Sequence, residues 1–276
     1  MTGFREVADR VYVLRYPVLD VNVTLLVGDG AALLVDTLST PAQAGELRAA
    51  VRAVTAAPLH LVNTHLHFDH CFGNAVLADG GQPIWAHEST VTQLRERAEH
   101  WRALWYGQWR ARNPELAAGL AEAVIQVPDH PVRHAATVDV GGRTVRLVHP
   151  GRGHTAGDLV VLVPDADVLI AGDLVEQGAA PDFADGYPLE WPDSLAALLP
   201  DISPDTVVVP GHGALVDRDF VLAQHADLAQ LDWLIRDGYA DGLAIFGDRS
   251  EQEDSRGSPF ATAVASDAAV RHVLGP

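Results

Sequence analysis

The spacing of apolar positions switches from a two-residue to a near-four-residue period twice along the chain. Residues 11–16, 21–27 and 31–36 are short runs rich in Val and Leu, the pattern of strands packed in a sheet. Asp29-Gly30, between the second and third runs, is a hairpin signal. Pro41 then opens a helical stretch over 41–54, with Ser39 or Thr40 as its cap. Residues 59–63 predict a short buried strand and 83–86 another. A helix is predicted over 88–112, carrying Trp101, Trp105 and Trp109 on one face, and Asn113-Pro114 divides it from a second helical piece that ends near residue 124.

The second half repeats this order. Residues 128–136 read as a loop, and 137–140 and 144–148 flank Gly141-Gly142, a pair suited to a tight primed turn. Residues 159–163 and 168–171 predict apolar strands, 177–192 a loop-rich stretch, 193–199 a short helix, and 206–209 a further strand. A long helix over 219–238 and a weaker helical tail over 260–274 close the chain, with the acidic stretch 248–258 between them expected to be disordered. Two successive sets of strands followed by helices predict an α/β fold in layers, a four-layer αββα sandwich. All 276 residues read as one domain with a helical C-terminal tail from about 219 to 276.

Composition narrows the partners. No apolar run approaches the roughly 18 residues of a membrane helix. Acidic residues number 37 against 19 basic ones, every basic one is Arg, and the net charge is −18. Such a body repels phosphate backbones and anionic lipid, so neither nucleic acid nor membrane is an expected partner. A small-molecule substrate is, and assembly into a homo-oligomer stays open. Cys71 stands alone, which excludes a disulfide framework and a thiolate metal cage. The first residues show no apolar leader, so a cytoplasmic location is expected.

The 13 histidines carry the candidate chemistry. His65-Leu66-His67-Phe68-Asp69-His70 follows the predicted strand 59–63, and His154, Asp173 and His212 lie at or near strand ends in the second half. Strand ends of a sandwich converge on one rim, so these seven groups are expected to meet. Imidazoles and carboxylates without thiolate suit zinc, and also iron, manganese or nickel. The expected arrangement is two Zn2+ ions, with Fe or Mn as alternatives. His65, His67 and His154 hold one ion, Asp69, His70 and His212 the other, and Asp173 bridges both. Two divalent ions, two carboxylates and a bridging hydroxide leave a net positive charge. That charge lowers the pKa of bound water toward ~7 and polarises a carbonyl or phosphoryl oxygen. Asp69 is the candidate catalytic residue, because it can also pass a proton between nucleophile and leaving group.

Other residues have two readings each. Asp36 either orients a ligand histidine or caps a turn, and Asp158 either supports His154 or caps its loop. Cys71 reads as a small buried hydrophobe. The three tryptophans are core or an apolar wall over the pocket. Tyr187 either donates to a substrate oxyanion or packs in its loop.

The string THLHFDHCFGN resembles the His-x-His-x-Asp-His signature of the metallo-β-lactamase-fold superfamily. GHTAGD at 153–158, AGD at 171–173 and PGHG at 210–213 are similar to its later motifs, in the same order. The resemblance spans residues 11–213 and implies the αββα sandwich, a dinuclear site at its rim, and hydrolysis through a metal-bound hydroxide. Diiron oxygen reductases of this fold have a carboxylate where His67 stands, and true β-lactamases often have Cys or Ser where Asp173 stands. The pattern is thus more similar to the glyoxalase II and lactonase-like branch, whose substrates are esters, lactones, thioesters or amides. The chain has no clear counterpart of the basic residues that hold glutathione carboxylates in glyoxalase II. Alternatives are a β-lactam hydrolase, a mononuclear iron persulfide dioxygenase, and a non-catalytic metal-binding protein.

Overall fold

A computed structural model describes residues 3–78 and 81–246, with side chains through 238. Its strands form two sheets. In the first, β1 (Arg5–Ala8), β2 (Val11–Tyr16), β3 (Val21–Val27), β4 (Ala32–Val35), β5 (Leu59–Val62), β6 (Ile84–His87) and β7 (His130–Val132) lie side by side in chain order. Pairing is antiparallel from β1 to β4 and parallel from β4 to β7. The change comes where α1 (Pro41–Val54) returns the chain across the sheet, the kind of crossover a parallel pair requires. The second sheet has the order β12 (Val207–Pro210), β11 (Val168–Gly172), β10 (Val160–Val163), β9 (Arg143–Val148), β8 (Ala135–Val140). Only its β11–β12 pair is parallel, and α6 (Trp191–Leu198) lies in the connection between them.

Burial of apolar faces sets the layers. Val11, Val13, Leu33 and Val62 of the first sheet meet Val145, Leu147, Val161 and Ile170 of the second. The outer face of the first sheet, with Val21, Val23, Leu34 and Leu61, packs on Ala44, Leu47 and Val51 of α1. The outer face of the second, with Val160, Leu162, Leu169 and Val208, packs on Leu195 and Leu198 of α6 and on Val221 and Leu228 of α7 (Arg218–Phe246). The result is the expected αββα sandwich. Its central strands read as unbroken apolar runs because both faces are covered. A further cluster joins Phe68 of α2 (Phe68–Cys71) to Leu94 and Trp101 of α4 (Glu88–Trp109) and Leu116 and Leu120 of α5 (Pro114–Glu122). Between α2 and β6 lies the one-turn α3 (Asn74–Leu77).

Local signals act as expected. The Thr40 hydroxyl accepts from the Gln43 amide at 3.2 Å, and the Asn113 side chain caps α5 through the Leu116 amide at 3.0 Å. Gly141 and Gly142 have φ of 56° and 81°, as a primed turn requires. The structure differs in three places. β1 is an additional strand, half exposed at the sheet edge, with little apolar pattern to announce it. The stretch 128–136 contains β7, an edge strand that tolerates Pro131 because an edge has unpaired positions. Helix α7 runs through Gly238 and Gly242 to Phe246, since each helical Gly costs only ~1 kcal/mol relative to Ala. The expected loop 248–258 and tail 260–274 lie outside the described residues. Among the described residues, no helix is long and apolar enough to cross a membrane.

The two sheets are stitched together at one rim. The Leu159 amide donates to the Thr64 carbonyl at 2.7 Å, and the Asn22 amide donates to the Gly211 carbonyl at 2.7 Å. The buried Asn22 side chain also donates to the Pro210 and Gly213 carbonyls, at 3.0 Å each. Asn22→Ala strands two carbonyls in a dry environment, each worth about 1–3 kcal/mol. Urea unfolding should therefore show a loss of ~2–4 kcal/mol with an unchanged m-value. A midpoint equal to that of the parent protein would show that the latch contributes nothing.

Candidate metal centre

The latched rim is where the seven candidate ligands emerge. β5 ends at Val62, the chain turns through Asn63 to His67, and α2 then presents Asp69 and His70. His154 comes from the loop before β10, Asp173 directly follows β11, and His212 follows β12. All seven converge. His65, His67, His154 and Asp173 offer ligand atoms within 4.8 Å of one another, and so do Asp69, His70 and His212. Asp173 stands between the two groups. Its Oδ2 lies 3.3 Å from His154 Nε2, 3.7 Å from His65 Nε2 and 3.3 Å from His212 Nε2, and its Oδ1 lies 3.3 Å from His70 Nε2. Asp69 Oδ2 is 3.5 Å from His212 Nε2 and 3.7 Å from His70 Nε2. Gly211 makes this approach possible, because a Cβ there would fall 1.7 Å from Asp173 Oδ1.

Four of the five imidazoles, His65, His67, His70 and His212, are hydrogen-bonded from behind, which leaves the other nitrogen of each for the cluster. His70 Nδ1 is 2.8 Å from Asp36 Oδ2, and the same carboxylate accepts from the Thr64 amide and hydroxyl, at 2.8 Å each. The Thr64 hydroxyl, having donated to Asp36, accepts from His65 Nδ1 at 3.0 Å. His212 Nδ1 donates to the Leu19 carbonyl at 2.7 Å. His67 is turned the other way, with Nε2 3.1 Å from Asp185 Oδ1 and Nδ1 facing His154 Nε2 at 2.9 Å. His154 Nδ1 lies 3.5 Å from Glu176 Oε1. Such outer partners fix tautomer and ring direction for a metal. Asp36 and Leu19 adopt φ of 69° and 62° to do so, a backbone region unfavourable for non-glycine residues.

The donor set fits divalent metal. His65 Nε2 and Asp173 Oδ1 are buried and make no hydrogen bond, a costly state for polar atoms unless something else engages them. The facing nitrogens of His70 and His212 are 3.3 Å apart, close to the ~3.3 Å separation of two nitrogens held at ~2.0–2.1 Å by a tetrahedral ion.

The family model described as the metallo-beta-lactamase superfamily matches residues 16–212. The chain belongs to the metallo-β-lactamase superfamily. Its matched segment runs from the end of β2 to His212, so it contains every cluster residue. A metallo-beta-lactamase type 2 of Bacillus cereus is 32% identical over 117 residues, 41% of this chain and 46% of that protein. The chain thus spans under half the length of that relative. A probable metallo-hydrolase of Bacillus subtilis, YqgX, is 25% identical over 209 residues, 74% of this chain and 90% of that protein. In solved structures the same fold recurs in a metallo-beta-lactamase from Pontibacter korlensis, with a TM-score of 0.67, 22% identity, and coverage of 83% of this chain and 99% of that one.

Burial would depress every ring of this superfamily site, and the carboxylates decide which rings resist. Burial, with the neighbouring His70, holds His65 well below the usual histidine range, and burial takes His154 down to about 4. Burial is outweighed at His67 by Asp185, Asp69 and Asp173, which carry it up to about 9. The same contest, with Asp173, Asp69 and Asp36 winning, brings His70 to about 9. At His212, Asp173 and Asp69 prevail over burial and the ring reaches about 11. Asp173 resists its own burial because four rings surround it, and it stays well below the usual carboxylate range. Burial and the Asp173 charge push Glu176 up to about 8. Without metal, protons on His67, His70 and His212 balance the buried carboxylates.

Asp36 orients His70. Asp158 caps its own loop, accepting from the Thr155 amide at 3.0 Å and hydroxyl at 2.6 Å. The buried Cys71 donates to the Leu66 carbonyl at 3.1 Å, and burial raises its thiol well above the ordinary value. Tyr187 stacks under the Arg152 guanidinium at 4.3 Å, and Arg152 in turn pairs with Glu190. Trp101 is core, whereas Trp105 is partly buried with its ring 5.2 Å from that of His67. Sequence reasoning missed Asp185, Glu176 and the Leu19 carbonyl. Asp185 sits in an irregular Pro- and Gly-containing loop with no fixed offset from His67. A backbone carbonyl has no residue signature at all.

Metal must displace protons here. At pH 7 the three raised rings, at about 9, 9 and 11, favour their protonated forms, so loading with zinc should release more than one proton per chain. Calorimetry in buffers of different ionisation heat measures this number, and it should shrink above pH ~9. The sign for the metal-free protein follows from the raised values. Their stabilisation is fully present below about 6.5, the unfolded value, and is lost as pH rises through about 9 to 11. Melting of metal-free protein at pH 7, 9 and 10.5 should show that decline. Proton release near zero at pH 7 would contradict this balance.

Proposed function

We propose that the chain is a metal-dependent hydrolase of the glyoxalase II and lactonase-like kind, cleaving an ester, lactone, thioester or amide bond with two zinc ions. The observation that carries this reading is the convergence of seven ligand groups whose free atoms share one buried space. In this reading His65, His67 and His154 hold one ion, Asp69, His70 and His212 hold the second, and Asp173 spans both. The ions, when bound, lower the pKa of water and polarise the scissile carbonyl. The chain's own residues do the rest. Asp36 and Asp185 keep His70 and His67 aimed and neutralise charge behind them. Asp173 sets the separation of the two ligand groups. Asp69 faces the same space with Oδ2, within reach of a proton moving between nucleophile and leaving group. An Asp at 173, in place of a thiol, supports the glyoxalase II and lactonase-like assignment. The Bacillus cereus relative favours a second reading, a β-lactam hydrolase.

Elemental analysis with a panel of chromogenic esters, lactones, thioesters and β-lactams tests both readings on one preparation. The expected result is about two zinc ions per chain and turnover of a non-β-lactam acyl substrate. A single iron per chain, with activity tracking iron, would overturn the dinuclear zinc reading. Asp173→Ala should lose metal and most turnover while its circular dichroism stays native, and full activity would show that Asp173 does not bridge. Asp69→Asn keeps an oxygen ligand but loses basicity, so kcat should fall ~10²–10⁴-fold with metal partly retained. Turnover near that of the parent would leave Asp69 a ligand only.

A further inference from the structure

The site has two apolar lips. On the side of His67, Trp105 of α4 lies with its ring 5.2 Å from the His67 ring and 5.1 Å from Phe68. It stacks at 6.3 Å on the buried Trp101, and its indole nitrogen is buried without a hydrogen bond. The ring is therefore wedged in place by packing, yet part of it remains exposed beside the ligand histidine. On the side of His212, Val18 and Leu19 are partly buried members of the same apolar cluster as Trp105. The Leu19 carbonyl is the group that holds His212. Members of one apolar cluster thus stand beside His67 and supply the carbonyl that holds His212.

Charge points the same way. The carboxylates of Asp185 and Glu176 flank the rings, the chain has no lysine, Arg152 is paired with Glu190, and Arg97 of α4 lies over the Trp101 ring, 5.5 Å from its centre, and not over Trp105. We infer that Trp105 is a specificity-determining residue, forming with Val18 and Leu19 a subsite for an uncharged apolar group, alkyl or aryl, next to the bond that is cleaved. A substrate with a carboxylate at that place is disfavoured. The inference rests on the hydrolase reading for its relevance to turnover, but its test does not require turnover.

The experiment uses zinc-loaded full-length protein and three hydroxamates, which chelate divalent metal through two oxygens. These are acetohydroxamate, hexanohydroxamate and the six-carbon monohydroxamate that ends in a carboxylate. Calorimetry gives each Kd. Burying several methylenes on the Trp105 lip should make the hexanoyl compound about 10–100-fold tighter than the acetyl one, and the carboxylate-ended compound should lose most of that gain. Trp105→Ala should cut the chain-length gain to under about threefold, and Trp105→Phe, which keeps an apolar ring, should retain most of it. Zinc content and melting curves of both variants accompany the titrations, and the Phe variant decides if the Ala variant does not fold. Equal affinity for all three compounds, no binding of any, or a full gain retained in folded Trp105→Ala would overturn the inference. Binding in the expected order, by a protein that cleaves nothing in the panel, would overturn the hydrolase reading and leave the subsite standing.

Discussion

A largely buried carboxylate surrounded by four imidazole rings is the constraint on which this structure turns. Asp173 is buried within 3.3–3.7 Å of His65, His70, His154 and His212. A buried charge without compensation costs several kcal/mol, so the surroundings must supply positive charge. Protons on His67, His70 and His212 do so in the metal-free protein, and divalent metal does so more fully. The outer carboxylates Asp36 and Asp185 follow from the same need, since each stabilises a ring that would otherwise shed its charge on burial. The left-handed backbone at Asp36 and Leu19 is the local cost of placing those supports.

The sandwich is what makes such a cluster affordable. Two sheets buried on both faces supply a stable body, and their strand ends open onto one rim, where loops need not satisfy a ladder. The Asn22 latch and the bond between Leu159 and Thr64 tie the two halves at that rim, so ligands from opposite sheets are held within hydrogen-bond range of one another. Gly211 shows how tight the fit is, because a single methyl group there would collide with Asp173.

The side of the site that faces a substrate is built on a different logic. The ligand ring of His67 has a charged support on one nitrogen, Asp185, and an aromatic neighbour at its edge, Trp105. The αα-hairpin of α4 and α5, which carries the three tryptophans, meets the site through Phe68 and through the Trp105 ring at His67, and supplies no ligand group itself. Packing there can vary without disturbing the metal ligands, which is where specificity in a shared fold resides.

The sequence by itself determined the layers and the side chains that meet at the rim. Continuous apolar runs at 21–27, 160–163 and 168–171 announce strands covered on both faces, and the cap at Thr40 and the glycine pair at 141–142 act over three or four residues, within reach of local physics. The string from His65 to His70 is equally local, a dense set of ligand types that core packing would not select. Asp173 and His212 were legible because each follows a strand end, and His154 because it lies in the loop joining two strands, where sandwich geometry leaves one destination. The edge strands β1 and β7 were not legible, since an edge strand is half exposed and needs little apolar pattern. Nor were Asp185, Glu176 and the Leu19 carbonyl. Their roles depend on loops from distant parts of the chain meeting within ~3 Å, and no spacing rule encodes that distance. Whether Trp105 belonged to the core or to the site was likewise decided only in three dimensions. The helical period placed it on a face with Trp101 and Trp109, and only packing put Trp101 inside the core and Trp105 against His67.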